Sequence, residues 1–284
     1  MPVIEAPTGG EAGDKDPAIV VKDLNTQYGD RQILKHVSMT VPRQEIRVVL
    51  GPSGCGKSTL LKHMVGLEEP VSGSIKILGR EIVGLTEEEL GKLLTEVGML
   101  FQGGALIQSM TLLENVALPI LEHTRLQRGD AERVARMKLN TVGLGRFLHY
   151  SPSEISGGMQ KRAALARAIA LDPVIVMYDE PFAGLDPISL NQIANLIRSL
   201  NDALGVTSIV VTYDVAESLK VADYVYFIAD GVVAAHGTVE EINASKDPFV
   251  RQFVDSLHDG PVAFHYPSEP YEADLRLSAP AEGG

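Results

Sequence analysis

The stretch GPSGCGKS, from Gly51 to Ser58, constrains the fold of this chain more than any other segment. It follows a short apolar run, EIRVVL, and precedes LLKHMVGL, which has helical spacing. The pattern G-x-x-x-x-G-K-[ST] between a strand and a helix is typical of a loop whose backbone N–H groups surround a phosphate. The sequence therefore predicts a nucleotide site in which Lys57 neutralises the phosphates and the Ser58 hydroxyl holds Mg²⁺.

A pair of carboxylates follows a second apolar run. The sequence VIVMYDE is continuously apolar until Asp179 and Glu180, as expected for a strand that is buried on both faces of a parallel sheet. Carboxylates at the end of such a strand face the crevice in which open α/β sheets bind ligands. We therefore expect Asp179 to hold Mg²⁺ through water, and Glu180 to act as the general base towards an attacking water.

A glycine pair lies near the start of a third segment, ISGGMQKRAALARAIALDP, between the loop and the carboxylates. Ser156 is a good N-cap, and the Ala, Leu and Arg residues that follow favour a helix. Gly157 and Gly158 would leave the first backbone donors of that helix accessible, and a bare helix N-terminus attracts anions. Taken alone, the same pattern also describes an ordinary capped helix.

Strand-like and helix-like segments alternate along the chain from Ala18. Early strands are predicted at AIVVKDL and VSMTVP, with TQYGDRQ as the turn between them. Thr86 is predicted to be the N-cap of the helix TEEELGKLL, and residues 104–165 are predicted to be mostly helical. Strands return with VIVMYDE, TSIVVTYD and DYVYFIADG. This order predicts a largely parallel α/β sheet that is interrupted by a helical insertion.

Composition excludes some classes of protein. The net charge of −12 argues against a nucleic-acid binder, which needs a basic face for phosphates. Cys55 is the one cysteine of the chain, so no disulfide can form within it and a reducing compartment is expected. No apolar run reaches the roughly 18 to 20 residues that span a bilayer. Residues 1–17 are expected to be a disordered lead, and any role at a membrane to pass through a partner.

Together these segments resemble the nucleotide-binding domain of ABC ATPases, over residues 18–245. The resemblance implies an α/β P-loop NTPase fold with a RecA-like core, an antiparallel β subdomain and a helical subdomain inserted at about residues 104–165. It also implies ATP and Mg²⁺ as cofactors, ATP hydrolysis as the reaction, and a homodimer with two composite ATP sites. Importers, exporters and soluble factors share half of this core, so the fold alone does not choose among them.

The resemblance assigns roles residue by residue. Gln102 in MLFQ matches the family's Q-loop and would contact Mg²⁺ together with Ser58 and Asp179, while Asp186 in AGLD matches the D-loop. The residues expected to contact ATP within one subunit are Tyr28, which would stack on adenine, Gly51, Pro52, Ser53, Gly54, Cys55, Gly56, Lys57, Ser58 and Thr59. The residues expected to close over the ATP of the opposite subunit are Ser156, Gly157, Gly158, Met159 and Gln160.

One position departs from the family pattern. In VVTYDVAE, the residue that is usually His and contacts the γ-phosphate is Tyr213, and no neighbouring His can replace it. Loss of a positioned donor costs about 3 to 4 kcal/mol of barrier, or roughly 10²- to 10³-fold in rate. A tyrosine hydroxyl still donates a hydrogen bond, although never as a cation. We therefore expect catalysis by Glu180, Gln102 and Tyr213 to be slow but real, with an ATP-binding scaffold that scarcely hydrolyses as the alternative.

Several longer stretches are similar to the ATPases of Mce-type lipid transporters, a branch that includes phospholipid systems of Gram-negative envelopes. They include SGGMQKRAALARAIALDP, DEPFAGLDPI and LNDALGVTSIVVTYDV. This similarity implies phospholipid trafficking between the inner and outer membranes, driven from the cytoplasmic face of the inner membrane. The implied partners are an integral-membrane permease, a periplasmic Mce-domain protein and a small STAS-domain protein. The alternative is the ATPase of an importer for a polar solute such as an amino acid, which shares every core motif.

Apolar residues in the helical insertion are expected to line a groove for a helix of the permease. They are Leu106, Met110, Leu112 and Val116. About half of such residues would be expected simply to pack inside the helical subdomain.

The C-terminal extension, residues 246–284, is also expected to contact a partner. Phe264, Tyr266 and Tyr271 lie there among prolines, which prevent a long helix. The similarity to the lipid-transport branch continues through DPFVRQFVDSLHDGPVAFHYP. We expect this segment to lie across the neighbouring ATPase subunit, with the three aromatic side chains as anchors of the dimer.

Overall fold

The structure, a computed structural model, describes residues 16–262. The aromatic residues expected to anchor the C-terminal extension, Phe264, Tyr266 and Tyr271, lie outside the described residues. The strands are β1 (Ile19–Tyr28), β2 (Arg31–Val41), β3 (Ile46–Leu50), β4 (Ser72–Ile77), β5 (Arg80–Glu81), β6 (Val97–Leu100), β7 (Ile175–Asp179), β8 (Thr207–Val211), β9 (Tyr224–Ala229) and β10 (Val232–Thr238). The α-helices are α1 (Lys57–Met64), α2 (Glu87–Leu94), α3 (Leu112–His123), α4 (Arg128–Thr141), α5 (Gly157–Ala168), α6 (Pro187–Leu204), α7 (Val215–Val221), α8 (Val239–Ala244) and α9 (Pro248–Val254).

Four of the first five strands, which lie in the first third of the chain, form an antiparallel sheet. Its strand order is β2-β1-β4-β5, and each neighbouring pair is antiparallel. The first two strands are longer than the sequence predicts, because β1 continues to Tyr28 and β2 begins at Arg31. The turn expected over TQYGDRQ is therefore confined to Gly29 and Asp30. Apolar and polar residues share these strands, since the sheet buries one face more than the other.

The second sheet is the one whose strands precede the candidate site residues. Its order is β10-β9-β3-β8-β7-β6, in which all neighbours are parallel except the edge pair β10 and β9. Every residue of β3 and of β8 is buried, as expected for central strands covered on both faces. The predicted α/β P-loop fold, with one antiparallel and one largely parallel sheet, is confirmed.

Helices fill the chain between β6 and β7. They are α3, α4, a single 3₁₀ turn at Pro152–Glu154, and α5. Leu112 and Val116 are fully buried here, and Leu106 is nearly so, which makes them core residues. The groove that the sequence predicted from these apolar residues is therefore not formed by Leu112 and Val116, because a helix packed between neighbours buries its apolar stripe.

Two helix starts that the sequence predicts are confirmed. The Thr86 hydroxyl accepts the N–H of Glu89, and the Glu89 carboxylate accepts the N–H of Thr86, which forms a capping box at α2. At α5 the Ser156 hydroxyl accepts the N–H of Met159 over 3.3 Å. Within residues 16–262, no helix combines the length and apolar character that crossing a bilayer requires.

The chain divides into two units between Asn243 and Ala244, inside α8. In the second unit, the Asp247 carboxylate caps α9 by accepting the N–H of Phe249 over 2.7 Å. The Gln252 side chain then closes the loop that follows. Its amide nitrogen donates to the Val262 carbonyl over 3.0 Å, and its oxygen accepts the Val262 N–H over 2.9 Å.

Candidate functional site

Four segments of the second sheet meet at the carboxyl ends of its strands. The order β3-β8-β7-β6 places these ends side by side. The phosphate loop (residues 51–58) follows β3, and Tyr213 lies two residues after β8. Asp179 ends β7 with Glu180 directly after it, and Gln102 lies two residues after β6. This is the edge at which open α/β sheets bind ligands. The topology therefore brings together candidate residues from four separate parts of the sequence.

The backbone of the phosphate loop has conformations that glycine adopts without strain. Gly56 has φ +107 and is the N-cap of α1, with no side chain capping the helix. A Cβ on Gly51 would lie 2.1 Å from the carbonyl oxygen of Ile228, so no other residue fits there without displacing the backbone. The first N–H groups of α1 thus remain available to an anion, as the sequence analysis expected of this loop.

Lys57 is buried and its ammonium group is held inside the loop. The Nζ atom donates to the carbonyl oxygens of Gly51 over 2.9 Å and Pro52 over 3.0 Å. It also lies 4.0 Å from Oε1 of Glu180. An ammonium group has three N–H donors, so two carbonyls position it and one donor remains for an oxygen of a phosphate group.

Ser58 and Asp179 are 121 residues apart in sequence and form a hydrogen bond. The Ser58 hydroxyl donates to Oδ1 of Asp179 over 2.9 Å. A hydroxyl and a carboxylate are the hard oxygen donors that Mg²⁺ accepts, and Mg²⁺ usually takes one or two protein oxygens with phosphates and water. Among the described residues, no group of three or more His, Cys, Asp and Glu side chains forms a metal site. The donor set at Ser58 and Asp179 fits a phosphate-bound Mg²⁺ better than a metal held by protein alone.

Glu180 has the environment of a general base. Its side chain is buried, and burial raises the pKa of its carboxyl group above the ordinary value. Hydrogen bonds from the Thr212 hydroxyl and the Tyr213 N–H, together with the charge of Lys57, oppose that rise in pKa. The Tyr213 N–H donates to Oε2 over 3.3 Å. A carboxyl group with a raised pKa is a stronger base once it is deprotonated, which suits it to take a proton from water.

The backbone of Glu180 is also unusual. Its φ is +47, in the left-handed region that a residue with a Cβ rarely adopts. Its N–H donates to the Val211 carbonyl over 2.8 Å. Residues held in such conformations cluster at functional sites, where the surrounding structure enforces them. In this conformation the Glu180 carboxylate accepts the Tyr213 N–H over 3.3 Å and lies 4.0 Å from the Lys57 ammonium.

Gln102 contacts the other site residues through its backbone carbonyl, not through its side chain. Its side chain is exposed, and its carbonyl oxygen accepts a hydrogen bond from the buried Lys161. The same Lys161 Nζ atom donates to the carbonyl of Glu180 over 3.1 Å. Sequence reasoning missed Lys161, because a lysine on a helix rich in alanine is usually exposed. Thr212, which bonds to the Glu180 carboxylate, was also missed; its place at the end of a strand was the one available signal.

The signature segment (residues 156–160) forms the first turn of α5. Ser156 and Gly157 are exposed, and Gly158 lies against α6, where a Cβ would be 2.9 Å from Oγ of Ser189. That Ser189 hydroxyl donates to the carboxylate of Asp186 over 2.5 Å. Asp186, expected to belong to the D-loop, also caps α6 by accepting the N–H groups of Ile188 and Ser189 over 3.0 Å each. The signature and D-loop segments are therefore neighbours, and the start of α5 faces outward.

Tyr28 lies at the end of β1 and about half of its side chain is exposed. Its hydroxyl donates to the carboxylate of Glu68, and Lys62 donates to the other oxygen of that carboxylate over 2.9 Å. The hydrogen bond to Glu68 raises the pKa of Tyr28, while a hydrogen bond with Thr59 opposes that rise. The Tyr28 ring is therefore exposed next to Thr59, one residue beyond the phosphate loop, and its stacking on adenine stays a prediction. Glu68 was not predicted, since nothing in its sequence context distinguishes it from a surface acid.

The other residues expected to contact ATP line the phosphate loop. Cys55 is buried, and burial raises the pKa of its thiol, which keeps it neutral at physiological pH. Ser53 and Gly54 are exposed at the tip, and Pro52 is half-buried. The Cys55 side chain packs against Gly51 inside the loop.

Known proteins are similar to this chain in sequence and in fold. The profile of the family described as ABC transporter matches residues 34–183. The intermembrane phospholipid transport system ATP-binding protein MlaF of Escherichia coli K12 is 46% identical over 255 residues, which cover 90% of this chain and 95% of the relative. The protein of the same name from Haemophilus influenzae is 48% identical over 257 residues, covering 90% and 97%.

A solved structure agrees with these relatives. The ATP-binding cassette MJ0796, in a dimeric post-hydrolysis state bound to ADP and Pi, superposes with a TM-score of 0.73. It is 31% identical in sequence, and the match covers 78% of this chain and 98% of that one. The motif set, the sheet order and these similarities agree with one another. The chain therefore belongs to the ATP-binding proteins of the ABC transporter family.

Proposed function

We propose that this chain is the ATP-hydrolysing subunit of an ABC transporter that drives phospholipid trafficking between inner and outer membranes. The observation that carries the enzymatic part is the convergence of Lys57, Ser58, Asp179 and Glu180 at one edge of the sheet. The choice of phospholipid is supported by similarity over 90% of the chain to two proteins named for that transport.

The geometry supports a direct role for each of these side chains. Lys57 and the N–H groups of the phosphate loop would bind the β- and γ-phosphates. Ser58 and Asp179 would hold Mg²⁺, which when bound neutralises charge on those phosphates. Glu180 would accept a proton from the water that attacks the γ-phosphorus. The bond from the γ-phosphorus to the bridging oxygen then breaks, giving ADP and phosphate.

A second copy of the chain would complete each site. Ser156 and Gly157 are exposed at the start of α5, so they are accessible to the nucleotide of another subunit. The related cassette MJ0796 is described as dimeric with ADP and Pi. We infer that ATP draws two copies together, with the signature segment of each facing the phosphate loop of the other, and that hydrolysis releases them. The contact of the C-terminal extension with the second copy stays a prediction.

An open apolar groove would be the docking place for a helix of the permease. Its volume is about 140 Å³, and its lining residues are Val65, Leu67, Leu94, Val97, Met99 and Phe101. Leu67 is 62% exposed although it is apolar, and Phe101 directly precedes Gln102. A helix of the permease seated in this groove would therefore act on the Gln102 segment. The Mce-domain and STAS-domain partners, and a place at the cytoplasmic face of the inner membrane, follow from the resemblance alone.

Replacing Tyr213 by His is expected to raise ATP turnover of the assembled complex by up to roughly 100-fold. The Tyr213 side chain is 55% exposed, whereas its N–H is held by Glu180, so the position can present a new donor without moving the base. Steady-state phosphate release from the purified complex measures the effect. The matched variant Tyr213→Phe removes the hydroxyl alone and should lower turnover. Equal rates for Tyr, His and Phe would mean that this side chain takes no part in the reaction.

The transported class can be tested by lipid analysis of the complete complex. We expect phospholipid to co-purify with a complex captured through a tag on this chain, above the level found with an unrelated transporter prepared in the same detergent. Lipid extraction and mass spectrometry of both samples measure the difference. Phospholipid at the control level, with a bound polar solute, would favour an importer for such a solute and contradict the proposal.

A further inference from the structure

Lys161 is a buried lysine that no part of the proposed reaction uses. It lies in the second turn of α5, directly after the signature segment, and it is 7% exposed. Its Nζ atom donates to the backbone carbonyls of Gln102 and Glu180. Those residues are 59 and 19 positions away in sequence. Lysines are almost never buried to this degree unless they are paired, so the site must favour the ammonium group strongly enough to offset its desolvation.

The charge balance around Lys161 is consistent with a charged bridge. Burial lowers the pKa of its ammonium group, and the nearby carboxylates of Asp179 and Glu180 oppose that shift. The two carbonyl acceptors use two of its three N–H donors. A neutral side chain of the same length would leave both carbonyls without this partner.

The two carbonyls belong to the segments that must be aligned for catalysis. Glu180 has φ +47, and its N–H donates to the Val211 carbonyl. Its own carbonyl accepts hydrogen bonds from the Lys161 ammonium over 3.1 Å and from the Ala183 N–H over 3.3 Å. Both polar groups of this strained backbone unit are therefore held. The Gln102 carbonyl is fixed by the same ammonium group, and the preceding residue, Phe101, lines the apolar groove.

We propose that Lys161 is a positioning residue that ties the signature helix to the Gln102 and Glu180 backbones, so that movement of α5 or of the groove segment changes the aim of the Glu180 carboxylate. This inference rests on the proposed ATPase function. Lys161 itself does not contact ATP; it acts through Glu180. Small misplacements of a catalytic group cost up to roughly 10²-fold in rate, so loss of the bridge should affect the chemical step more than nucleotide binding.

The test uses Lys161→Met in the full complex. We expect kcat for ATP hydrolysis to fall by about 10- to 100-fold, while the Kd for ATP measured by equilibrium titration stays within about 3-fold of wild type. Lys92→Met is the matched control, because Lys92 is exposed and pairs with Glu88 on the surface of α2. That control should leave both quantities unchanged. A thermal unfolding curve for each variant establishes the folded fraction to which kcat is referred.

Lys161→Gln keeps the test decisive if Lys161→Met does not fold. Its shorter amide cannot reach both carbonyls, so kcat is again expected to fall with ATP affinity retained. A folded Lys161→Met or Lys161→Gln variant with wild-type kcat would overturn the inference, as would a parallel loss of kcat and ATP affinity. If the wild-type complex releases no phosphate at all, the proposed ATPase function fails, and this inference fails with it.

Discussion

Replacing Glu180 by Gln is expected to lower ATP turnover of the assembled complex by roughly 10²- to 10⁴-fold, because general base catalysis contributes about that much. The substitution keeps the shape of the side chain and an oxygen that can accept the Tyr213 N–H, now 3.3 Å from Oε2. It removes the carboxylate that takes the proton from water. ATP binding should persist, since Lys57, Ser58 and Asp179 are unchanged. Phosphate release and equilibrium ATP titration on the same preparation separate the two effects.

The matched control is Glu87→Gln, which changes an exposed acid in the first turn of α2. It should leave turnover unchanged. The wild-type rate should also fall as the pH drops through the pKa of Glu180, which burial raises, because the protonated carboxyl group cannot act as a base. Turnover of Glu180→Gln equal to that of wild type would exclude Glu180 as the base and favour a scaffold that binds ATP without this reaction.

Replacing Lys57 by Met is expected to weaken ATP binding by on the order of 100-fold, and to abolish turnover as a consequence. A hydrogen bond to a charged group contributes about 1.5 to 3 kcal/mol, and the Lys57 ammonium is the one cation already held within the phosphate loop by its carbonyls. Methionine has similar length and packs in the same space, so the weaker ATP binding would result from losing the positive charge and its hydrogen bonds. Isothermal titration with Mg²⁺ and ATP measures the dissociation constant.

Lys76→Met, at an exposed position of β4, is the control for this substitution and should bind ATP as wild type does. Thermal unfolding of the Lys57 variant without nucleotide checks that the loop still folds. An unchanged dissociation constant in a folded Lys57→Met protein would place the phosphates elsewhere, and the assignment of residues 51–58 would then be wrong.

The sequence was most informative where chemistry depends on neighbouring residues. The spacing of the phosphate loop between an apolar run and a helix predicted its place after β3, and the continuous run before Asp179 predicted a strand buried on both faces. The rule that ligands bind at the carboxyl ends of parallel strands then predicted that these segments meet. The hydrogen bond between Ser58 and Asp179 shows that the two segments do meet.

The sequence was least informative where function depends on burial. From the sequence, Lys161 would be expected at the surface, but the packing of α5 buries it. Glu68 would be taken for an ordinary surface acid, and only the structure shows its hydrogen bond with Tyr28. The apolar residues Leu112 and Val116 illustrate the opposite case, because they were expected at a groove and are in the core. An apolar stripe on a helix predicts that the stripe is buried, but the sequence does not show whether a neighbouring helix of the same chain or a partner protein covers it.

The most direct test of a shared nucleotide site is a structure of the Glu180→Gln chain with ATP and Mg²⁺, by crystallography or electron cryo-microscopy. Two copies should enclose each nucleotide, with its terminal phosphate between Lys57 of one and Ser156 of the other. ATP wholly surrounded by one copy, with no phosphate near any Ser156 hydroxyl, would contradict this account.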